Sequence, residues 1–303
     1  MQKPVPSSPA PLGARAALVL VGCCMIWGVG LVMVKIAVAG ITPLWNAGLR
    51  SIAAGLILWA WSAARGVPLF TRDRTLWAGL LCGFFFALEF VGLYMGLVRT
   101  SASRATVFLH SAPFVAAYGE HLLVPGHRLT RTRVLGLAAA FLGLAVAMGE
   151  SVTALDPATL AGDLLCLAGG VFWGLTTVVV RASRLRTAAA EKTLLYQLAV
   201  SALLLPLAAL AIGEAGIVTA SPAVLGAFAY SVLLVVVVGY TTWFWLMRTT
   251  SAASLHSFSF LTPIFGVIAG HYLLGDPWSP GVAAGLALVA LGIWLVNRPA
   301  STP

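Results

Sequence analysis

Four ionisable side chains, Arg50, Glu89, His110 and His256, stand inside long apolar stretches of this sequence. Such groups are costly in apolar surroundings unless they are paired or hydrated, so each is a candidate for chemistry. Arg50 and Glu89 lie at similar depths of neighbouring stretches, and their simplest arrangement is an ion pair; a gate or ligand contact, or no contact at all, are the alternatives. The histidines could titrate near neutral pH and carry protons, or they could be neutral, buried and hydrogen-bonded.

A proline follows each of these histidines. Pro113 comes three residues after His110, and Pro263 comes seven residues after His256. Because proline lacks a backbone N–H and breaks a helix, it frees a backbone carbonyl that a cavity or a ligand can use. The sequence therefore predicts helix breaks at Pro113 and Pro263.

The composition is that of a membrane protein. Of the 303 residues, 60% are hydrophobic and 9% are charged, whereas soluble proteins carry about 25% charged residues. A bilayer core needs roughly 20 apolar residues per helix, and the apolar stretches lack the alternation of barrel strands. We therefore predict an all-α polytopic membrane protein with ten transmembrane helices. The predicted ranges are 16–39, 43–64, 75–98, 104–124, 132–149, 159–181, 190–212, 222–247, 255–275 and 280–297.

The net charge of +9 is distributed unevenly along these stretches. If the N-terminus is cytoplasmic, fourteen of the 18 Lys and Arg residues fall on the cytoplasmic side, two fall on the opposite side, and Lys35 and Arg50 fall within helices. This asymmetry follows the positive-inside rule, so both termini are expected in the cytoplasm. The basic surplus thus reflects topology, and no nucleic-acid partner is expected.

Charged side chains near the ends of the stretches have simpler interpretations. Lys35 is four residues from the outer end of the first helix, so its ammonium either reaches the interface or attracts a carboxylate near the outer mouth. Arg181, at the cytoplasmic end of the sixth helix, is expected to be a topology charge. Glu120, His121 and His271 are expected at the interface.

Aromatic side chains occupy two kinds of position. Trp27, Trp173 and Trp243 lie in mid-helix, as do Tyr94 and Tyr240. Trp and Tyr normally collect at membrane interfaces, so mid-helix rings either pack against another helix or line a cavity for a flat apolar ligand, where ring stacking adds roughly 0.5–1.5 kcal/mol per pair. The tryptophans that fit the interfacial role are Trp45, Trp59, Trp61, Trp77, Trp278 and Trp294.

The chain repeats itself at long range. Trp27 precedes Lys35 by the same spacing with which Trp173 precedes Arg181, and each tryptophan is followed by glycine. Five helices per half is an odd number, so the halves are predicted to be inverted repeats related by a pseudo-two-fold axis in the membrane plane. Later matched pairs are Arg99 with Arg248, Pro113 with Pro263, Gly136 with Gly285 and Gly143 with Gly292. The predicted regions are a cytoplasmic tail (1–15), a first repeat (16–149), an extracytoplasmic linker (150–158), a second repeat (159–297) and a cytoplasmic tail (298–303).

Residue patterns typical of enzymes are not found. The cysteines, Cys23, Cys24, Cys82 and Cys166, all lie in predicted helices without metal-ligand spacing, which is typical of small packing residues. The sequence contains neither His-Glu-x-x-His nor a phosphate-cradling Gly-Lys-Ser/Thr loop. We therefore expect no enzyme, no metal and no cofactor, and any transport would have to be driven by a gradient.

The duplicated five-helix units, the Trp-Gly in the first helix of each unit and the matched prolines resemble the drug/metabolite transporter superfamily, in its EamA branch. The Leu-Gly-Asp at 274–276 keeps the family's spacing of thirteen residues from Pro263. The first half departs from this pattern, because Gly126 stands thirteen residues after Pro113. Within the superfamily, the chain looks most like the amino-acid exporters of the YddG type.

This resemblance implies a secondary transporter of the bacterial inner membrane. It would export amino acids, with a preference for aromatic or hydrophobic ones, or related small metabolites, by alternating access around a central cavity. Its partners would be the small-molecule substrate and the lipid bilayer. A monomeric state is compatible with this resemblance. The residues expected to contact substrate are Trp27, Glu89, Tyr94, His110, Trp173, Tyr240, Trp243 and His256, with Lys35, Arg50 and Glu89 as gate or ion-pair residues.

Three alternatives differ in cargo or class. Phosphorylated substrates would need a more cationic pocket than Lys35 and Arg50 provide. Drug-like or cationic compounds would need an unpaired carboxylate within the membrane, and Glu89 is the candidate if it does not pair with Arg50. A non-transporting membrane scaffold would have no need of polar residues inside the third and fourth helices.

Overall fold

The computed structural model describes residues 13–97, 99–100, 102–148, 157–274 and 281–297. Within these ranges the regular elements are helices, and extended pairing is limited to one isolated bridge between Ile41 and Ile217. The helices of the first half are α1 (Ala14–Val38), α2 (Pro43–Ala64), α3 (Leu76–Leu97), α4 (Ala102–Leu109), α5 (Ala112–Leu123) and α6 (Arg131–Met148). Those of the second half are α7 (Pro157–Ala182), α8 (Ala190–Ala211), α9 (Pro222–Tyr230), α10 (Thr241–Met247), α11 (Ala252–Ser259), α12 (Leu261–Leu274) and α13 (Gly281–Asn297).

The chain is a multi-pass membrane protein. Seven helices in the described ranges are long and apolar enough to cross a bilayer, each with 22 to 26 residues, which corresponds to at least about 30 Å of helix. Two of these spans are compound, because α9 joins α10 through a π-helix over Ser231–Tyr240 and α11 is followed closely by α12. The broken pair α4 and α5, helix α6 and helix α13 fall outside this count, so the number ten stays a prediction.

Two breaks interrupt the helices directly before the matched prolines. Helix α4 ends at Leu109 and α5 begins at Ala112, while α11 ends at Ser259 and α12 begins at Leu261. Pro113 and Pro263 each lie in the first turn of the following helix, where a missing N–H is tolerated. The breaks place irregular backbone in the interior of the bundle, where other side chains can use its carbonyl groups.

Helices α6 and α13 pack face to face along their glycines. A Cβ atom added to Gly285 would lie 2.5 Å from the carbonyl oxygen of Gly143, and one added to Gly136 would lie 2.9 Å from that of Gly292. Glycine is therefore required for this close approach, which small residues permit between membrane helices. These two helices form a scaffold away from the polar interior.

Helices α2 and α8 also pack against each other, and a loop from the opposite half holds each N-terminus. The carboxylate of Glu214 accepts hydrogen bonds from the backbone N–H groups of Leu44 and Trp45 at the start of α2, at 3.0 to 3.1 Å. Near the start of α8, Lys192 donates to Asp73 at 2.8 Å. Lys192, together with Thr75 and Thr71, holds the pKa of Asp73 well below its usual range.

Candidate functional site

A cavity lies at the centre of the bundle between α3, α7, α8, α10 and the π-helix. It is narrow, with about 10 Å³ of space for the centre of a water-sized sphere, which is about enough for one water molecule. The side chains that surround this central cavity are Phe86, Glu89, Trp173, Thr176, Thr177, Gln197, Tyr240, Trp243 and Phe244.

The rings of Trp173, Tyr240 and Trp243 line the central cavity, and Trp27, outside the lining, contacts two of them in tilted orientations. The ring centroids of Trp27 lie 5.4 Å from Tyr240 and 5.1 Å from Trp243, and Trp173 lies 6.5 Å from Trp243 on the other side. The indole N–H of Trp27 donates to the carbonyl of Val235, 3.3 Å away in the π-helix. Because π-helical turns misalign the usual backbone pairing and are frequent at functional sites, this turn both anchors Trp27 and sets the direction of Tyr240 and Trp243.

His256 lies between two of these tryptophans. Its ring centroid is 5.2 Å from Trp173 and 5.2 Å from Trp243, and its Nε2 is 2.9 Å from the hydroxyl of Thr177. Its Nδ1 is buried without a hydrogen-bond partner. His256 is therefore outside the cavity lining itself and contacts three lining residues, Trp173, Trp243 and Thr177, through two ring contacts and one hydrogen bond.

His110 lies behind Trp173, with ring centroids 5.8 Å apart. Its Nε2 is 3.1 Å from the carbonyl oxygen of Ser259, and its Nδ1 is 2.8 Å from that of Thr106. Carbonyl oxygens only accept, so both contacts are hydrogen bonds only when both ring nitrogens carry protons. His110 thus connects the broken helices and does not line the central cavity.

The expected ion pair between Arg50 and Glu89 does not form. No nitrogen of Arg50 lies within 4.0 Å of an oxygen of Glu89. The Arg50 guanidinium instead covers the ring of Phe90, 4.3 Å from its centroid, and Oε2 of Glu89 is buried without a hydrogen-bond partner. The sequence places the two residues at similar depths but does not specify the rotation of α2 and α3, which directs the charged groups apart.

Tyr94 and Lys35 lie outside the cavity lining. Tyr94 is buried and packs against Phe90, with centroids 6.1 Å apart. Lys35 is exposed at the end of α1, as expected for an ammonium group that reaches the membrane interface. Lys35 is therefore not part of the buried site.

Gln197 is a cavity residue that the sequence reasoning missed. It is fully buried in α8, and its Nε2 donates to the carbonyl of Thr193 while its Oε1 has no partner. An amide in the middle of an apolar stretch is the signal that could have identified it. Gln197 adds an unused acceptor to the polar side of the central cavity.

A buried ionic cluster, which we call the latch, lies one helical turn beyond the lining residue Thr177 and consists of Arg181, Glu120, His127 and two backbone groups. The side chain of Arg181 donates to Glu120, with Nε at 2.9 Å and Nη2 at 2.7 Å from Oε1, and also to the carbonyl of Met247. The other Glu120 oxygen accepts from the N–H of Ala252 at 2.9 Å, and His127 Nε2 lies 3.1 Å from Arg181. Arg181 and Glu120 are 5% and 3% exposed, so neither is the surface charge that its position near a helix end predicted.

The latch adjoins the central cavity through helix α7. Trp173, Thr177 and Arg181 are spaced four residues apart, which places them on one face of the helix in successive turns. Trp173 and Thr177 line the cavity, and Arg181 lies in the next turn toward the end of α7. The latch therefore ties α5, α7 and the segment between α10 and α11 together immediately beyond the cavity.

No cluster of potential metal ligands is found among the residues that the structure describes. The residues Asp276 and Trp278, which the sequence analysis singled out, lie outside the described ranges. The lining of the central cavity combines aromatic rings with polar side chains around a space of about one water molecule.

A solved structure shares the fold of this chain, and several sequence relatives carry the names of transporters. A crystal structure described only as that of a protein superimposes with a TM-score of 0.79 at 19% identity, covering 93% of this chain and 97% of that one. The uncharacterized transporter YvbV of Bacillus subtilis is 26% identical over 93% of this chain and 92% of its own. A Salmonella typhimurium protein named "Probable amino-acid metabolite efflux pump" is 25% identical over 93% of both chains.

The family resemblance is confirmed over nearly the whole chain. The uncharacterized inner membrane transporter YedA of Escherichia coli is 25% identical over 90% of this chain and 87% of its own. The model of the EamA-like transporter family matches residues 14–149 and again residues 160–298. This membrane protein, with its enclosed aromatic and polar cavity, belongs to the EamA-like transporter family.

Proposed function

We propose that the chain is a secondary transporter of the bacterial inner membrane that exports amino acids with apolar or aromatic side chains, or closely related metabolites. The observation that carries this proposal is the central cavity, where the rings of Trp173, Tyr240 and Trp243 meet the polar side chains of Glu89 and Gln197. A cargo with one apolar and one polar end matches such a wall, because rings bind the apolar part while a few placed polar groups fix its orientation.

The name of one relative supports this class of cargo. The Salmonella protein is named for the efflux of amino-acid metabolites, and it aligns with this chain over nearly its full length. Efflux is the direction that this relative suggests here, and the inner membrane is the location in the name of the Escherichia coli relative.

Alternating access would use two inverted halves, 16–149 and 159–297, with both termini in the cytoplasm. The packing supports this arrangement: α1 packs on α12 and the π-helix, much as α7 packs on α5 and α3. The broken pairs α4 with α5 and α11 with α12 would each cross the membrane once, giving ten spans. Rocking of the halves would then expose one central site to each side in turn.

The described conformation would be an occluded step of that cycle. The central cavity has room for about one water molecule, so an amino acid could be admitted only after the helices move. In the proposed topology the latch lies at the cytoplasmic end, because Arg181 ends helix α7 there. Opening to the cytoplasm would therefore require the Arg181–Glu120 pair to separate.

A second cargo class is favoured by one observation. Glu89 is buried without an ion pair, and an unpaired carboxylate within the membrane is the feature that a lipophilic cation would require. Export of drug-like cations is the alternative function.

Uptake into proteoliposomes distinguishes these proposals. Purified protein would be tested with radiolabelled apolar and aromatic amino acids and with a lipophilic cation, each with and without a pH gradient, against protein-free liposomes. Saturable uptake of amino acids supports the proposed function. Uptake of the cation alone supports the alternative, and uptake of neither would contradict both.

A further inference from the structure

Arg50 is a buried cation without a partner in the part of the chain that the structure describes. It is 3% exposed in α2, and its Nε and Nη2 have no hydrogen-bond acceptor. Its guanidinium lies over the ring of Phe90, 4.3 Å from the centroid. A buried charge without a partner is strongly destabilising, so a guanidinium left permanently in this state would weaken the fold.

The other buried cations of the described chain do not share this state. Arg181 is matched by Glu120 and the carbonyl of Met247, and Lys192 by Asp73 and Thr71. The fold thus satisfies a buried positive charge where its role is structural. The guanidinium of Arg50 differs from them because its Nε and Nη2 donors have no acceptor.

The surroundings of Arg50 supply further donors and a separate negative charge. Asn46, one helical turn away on the same face of α2, is fully buried, and neither atom of its amide group has a partner. Glu89, next to Phe90 in the chain, acts electrostatically on Arg50 without contacting it and lines the central cavity. Two donors on α2 and a carboxylate on α3 therefore face the interior with unused hydrogen-bonding capacity.

We propose that Arg50, assisted by Asn46, binds the carboxylate of the transported molecule, while Glu89 binds its ammonium group. The planar guanidinium matches a carboxylate through two parallel hydrogen bonds. The separation of Arg50 from Glu89 lets a zwitterion complete two interactions that the protein leaves open. This proposal rests on the proposed function and narrows its cargo to zwitterionic amino acids whose apolar side chain contacts the tryptophans.

The test compares each transported amino acid with its analogues in the proteoliposome assay. For phenylalanine these are phenethylamine, which lacks the carboxylate, and 3-phenylpropionate, which lacks the ammonium. The wild-type protein is expected to transport the amino acid with at least tenfold higher kcat/KM than either analogue, since a hydrogen bond to a charged group contributes on the order of tenfold or more.

Variants assign the two charges. Arg50→Gln is expected to lower kcat/KM for the amino acid about tenfold or more while leaving that for the amine nearly unchanged, and Arg50→Lys is expected to recover part of the loss. Glu89→Gln is expected to show the opposite selectivity, with the carboxylate analogue spared. Lys35→Gln, which removes an exposed charge of the same helix bundle, is the matched control and should behave as wild type.

Three results would overturn the proposal. Equal wild-type transport of the amino acid and its amine would remove the carboxylate site while leaving the transporter function intact. An equal loss of amino acid and amine in Arg50→Gln would show that Arg50 is structural. Lack of transport of every amino acid tested would contradict the proposed function, and the site with it. If Arg50→Gln fails to fold, the comparison of analogues in the wild-type protein still decides.

Discussion

His110 Nε2 lies 3.1 Å from the carbonyl oxygen of Ser259, a contact that joins the break in one half of the chain to the break in the other. In a continuous helix, Ser259 would accept from the N–H of residue 263, which is a proline and has none. With the proton on Nε2, His110 therefore satisfies the carbonyl that Pro263 releases. The contact explains why a polar side chain is tolerated at the crossing of two membrane helices.

Replacing His110 tests this relationship. His110→Phe is expected to destabilise the protein by ~1–3 kcal/mol, because the buried carbonyl of Ser259 loses its donor. Pro263→Ala restores an N–H within reach of that carbonyl, so the cost of His110→Phe should be smaller in the Pro263→Ala background. Thermal unfolding of the four proteins in detergent measures the difference, and equal costs in both backgrounds would show that the Ser259 contact contributes nothing.

The latch is expected to behave as a buried ion pair. Arg181→Gln leaves Glu120 buried beside the N–H of Ala252 and the imidazole of His127, which is 3.6 Å away, and breaking a buried ion pair costs ~3–5 kcal/mol. The double variant Arg181→Gln with Glu120→Gln should be more stable than Arg181→Gln alone, because no isolated charge remains. Additive losses of melting temperature in the two single variants and the double variant would refute this coupling.

Opening of the latch should also change access to the cavity. Thr177, one turn from Arg181 on α7, lines the central cavity. A cysteine in place of Thr177 is expected to react with a membrane-impermeant thiol reagent added from the cytoplasmic side several-fold faster in the Arg181→Gln, Glu120→Gln background. The native cysteines, all buried, would be replaced by alanine in both proteins. Unchanged labelling would separate the latch from gating.

The pairing of Asp73 with Lys192 predicts a dependence of stability on pH. Because the pKa of Asp73 in the folded protein is below that in the unfolded chain, its contribution is present above the unfolded pKa of about 3.9 and is lost as the pH falls further. The melting-temperature difference between wild type and Asp73→Asn should be constant from pH 7 to about 5 and shrink below pH 4. Asp73 is 37% exposed, so the difference should be small; one that grows on acidification would have the wrong sign.

The glycine contact between α6 and α13 gives a packing test. Gly285→Ala would place a Cβ atom 2.5 Å from the carbonyl of Gly143, and such overpacking costs ~1–3 kcal/mol. Gly226→Ala is the matched control, since nothing lies within 4 Å of the added atom and alanine favours the helix of α9. Equal melting temperatures for the two variants would show that the helices separate easily.

The membrane class and the helices followed from the sequence because hydropathy and helix length report them directly. Apolar runs predicted helices whose ends agree within a few residues, as α2 at Pro43–Ala64 does with 43–64. The mid-helix tryptophans came into ring contact in the interior, since rings that avoid the interface must pack inside. Hydropathy and helix length depend on local sequence, so they can be predicted without knowledge of how the helices pack.

The rotation of each helix about its own axis could not be predicted from hydropathy and helix length. Arg50 and Glu89 share a depth but not a direction, so the predicted ion pair was wrong. Arg181 and Glu120 lie near helix ends, which is where surface charges also lie, and only the packing of α5 on α7 shows that they face each other. Gln197 escaped notice because one amide in an apolar helix carries no charge to mark it.

Transport by variants of two tryptophans tests the central claim most directly. Trp173 lines the central cavity, whereas Trp77 is 81% exposed on the outside of the bundle. In proteoliposomes matched for protein content, Trp173→Ala should reduce saturable uptake of aromatic amino acids about tenfold or more, from the loss of ~1.5–3 kcal/mol of buried apolar contact, and Trp77→Ala should leave it unchanged. Equal uptake by Trp173→Ala and wild type would contradict a substrate site at this cavity.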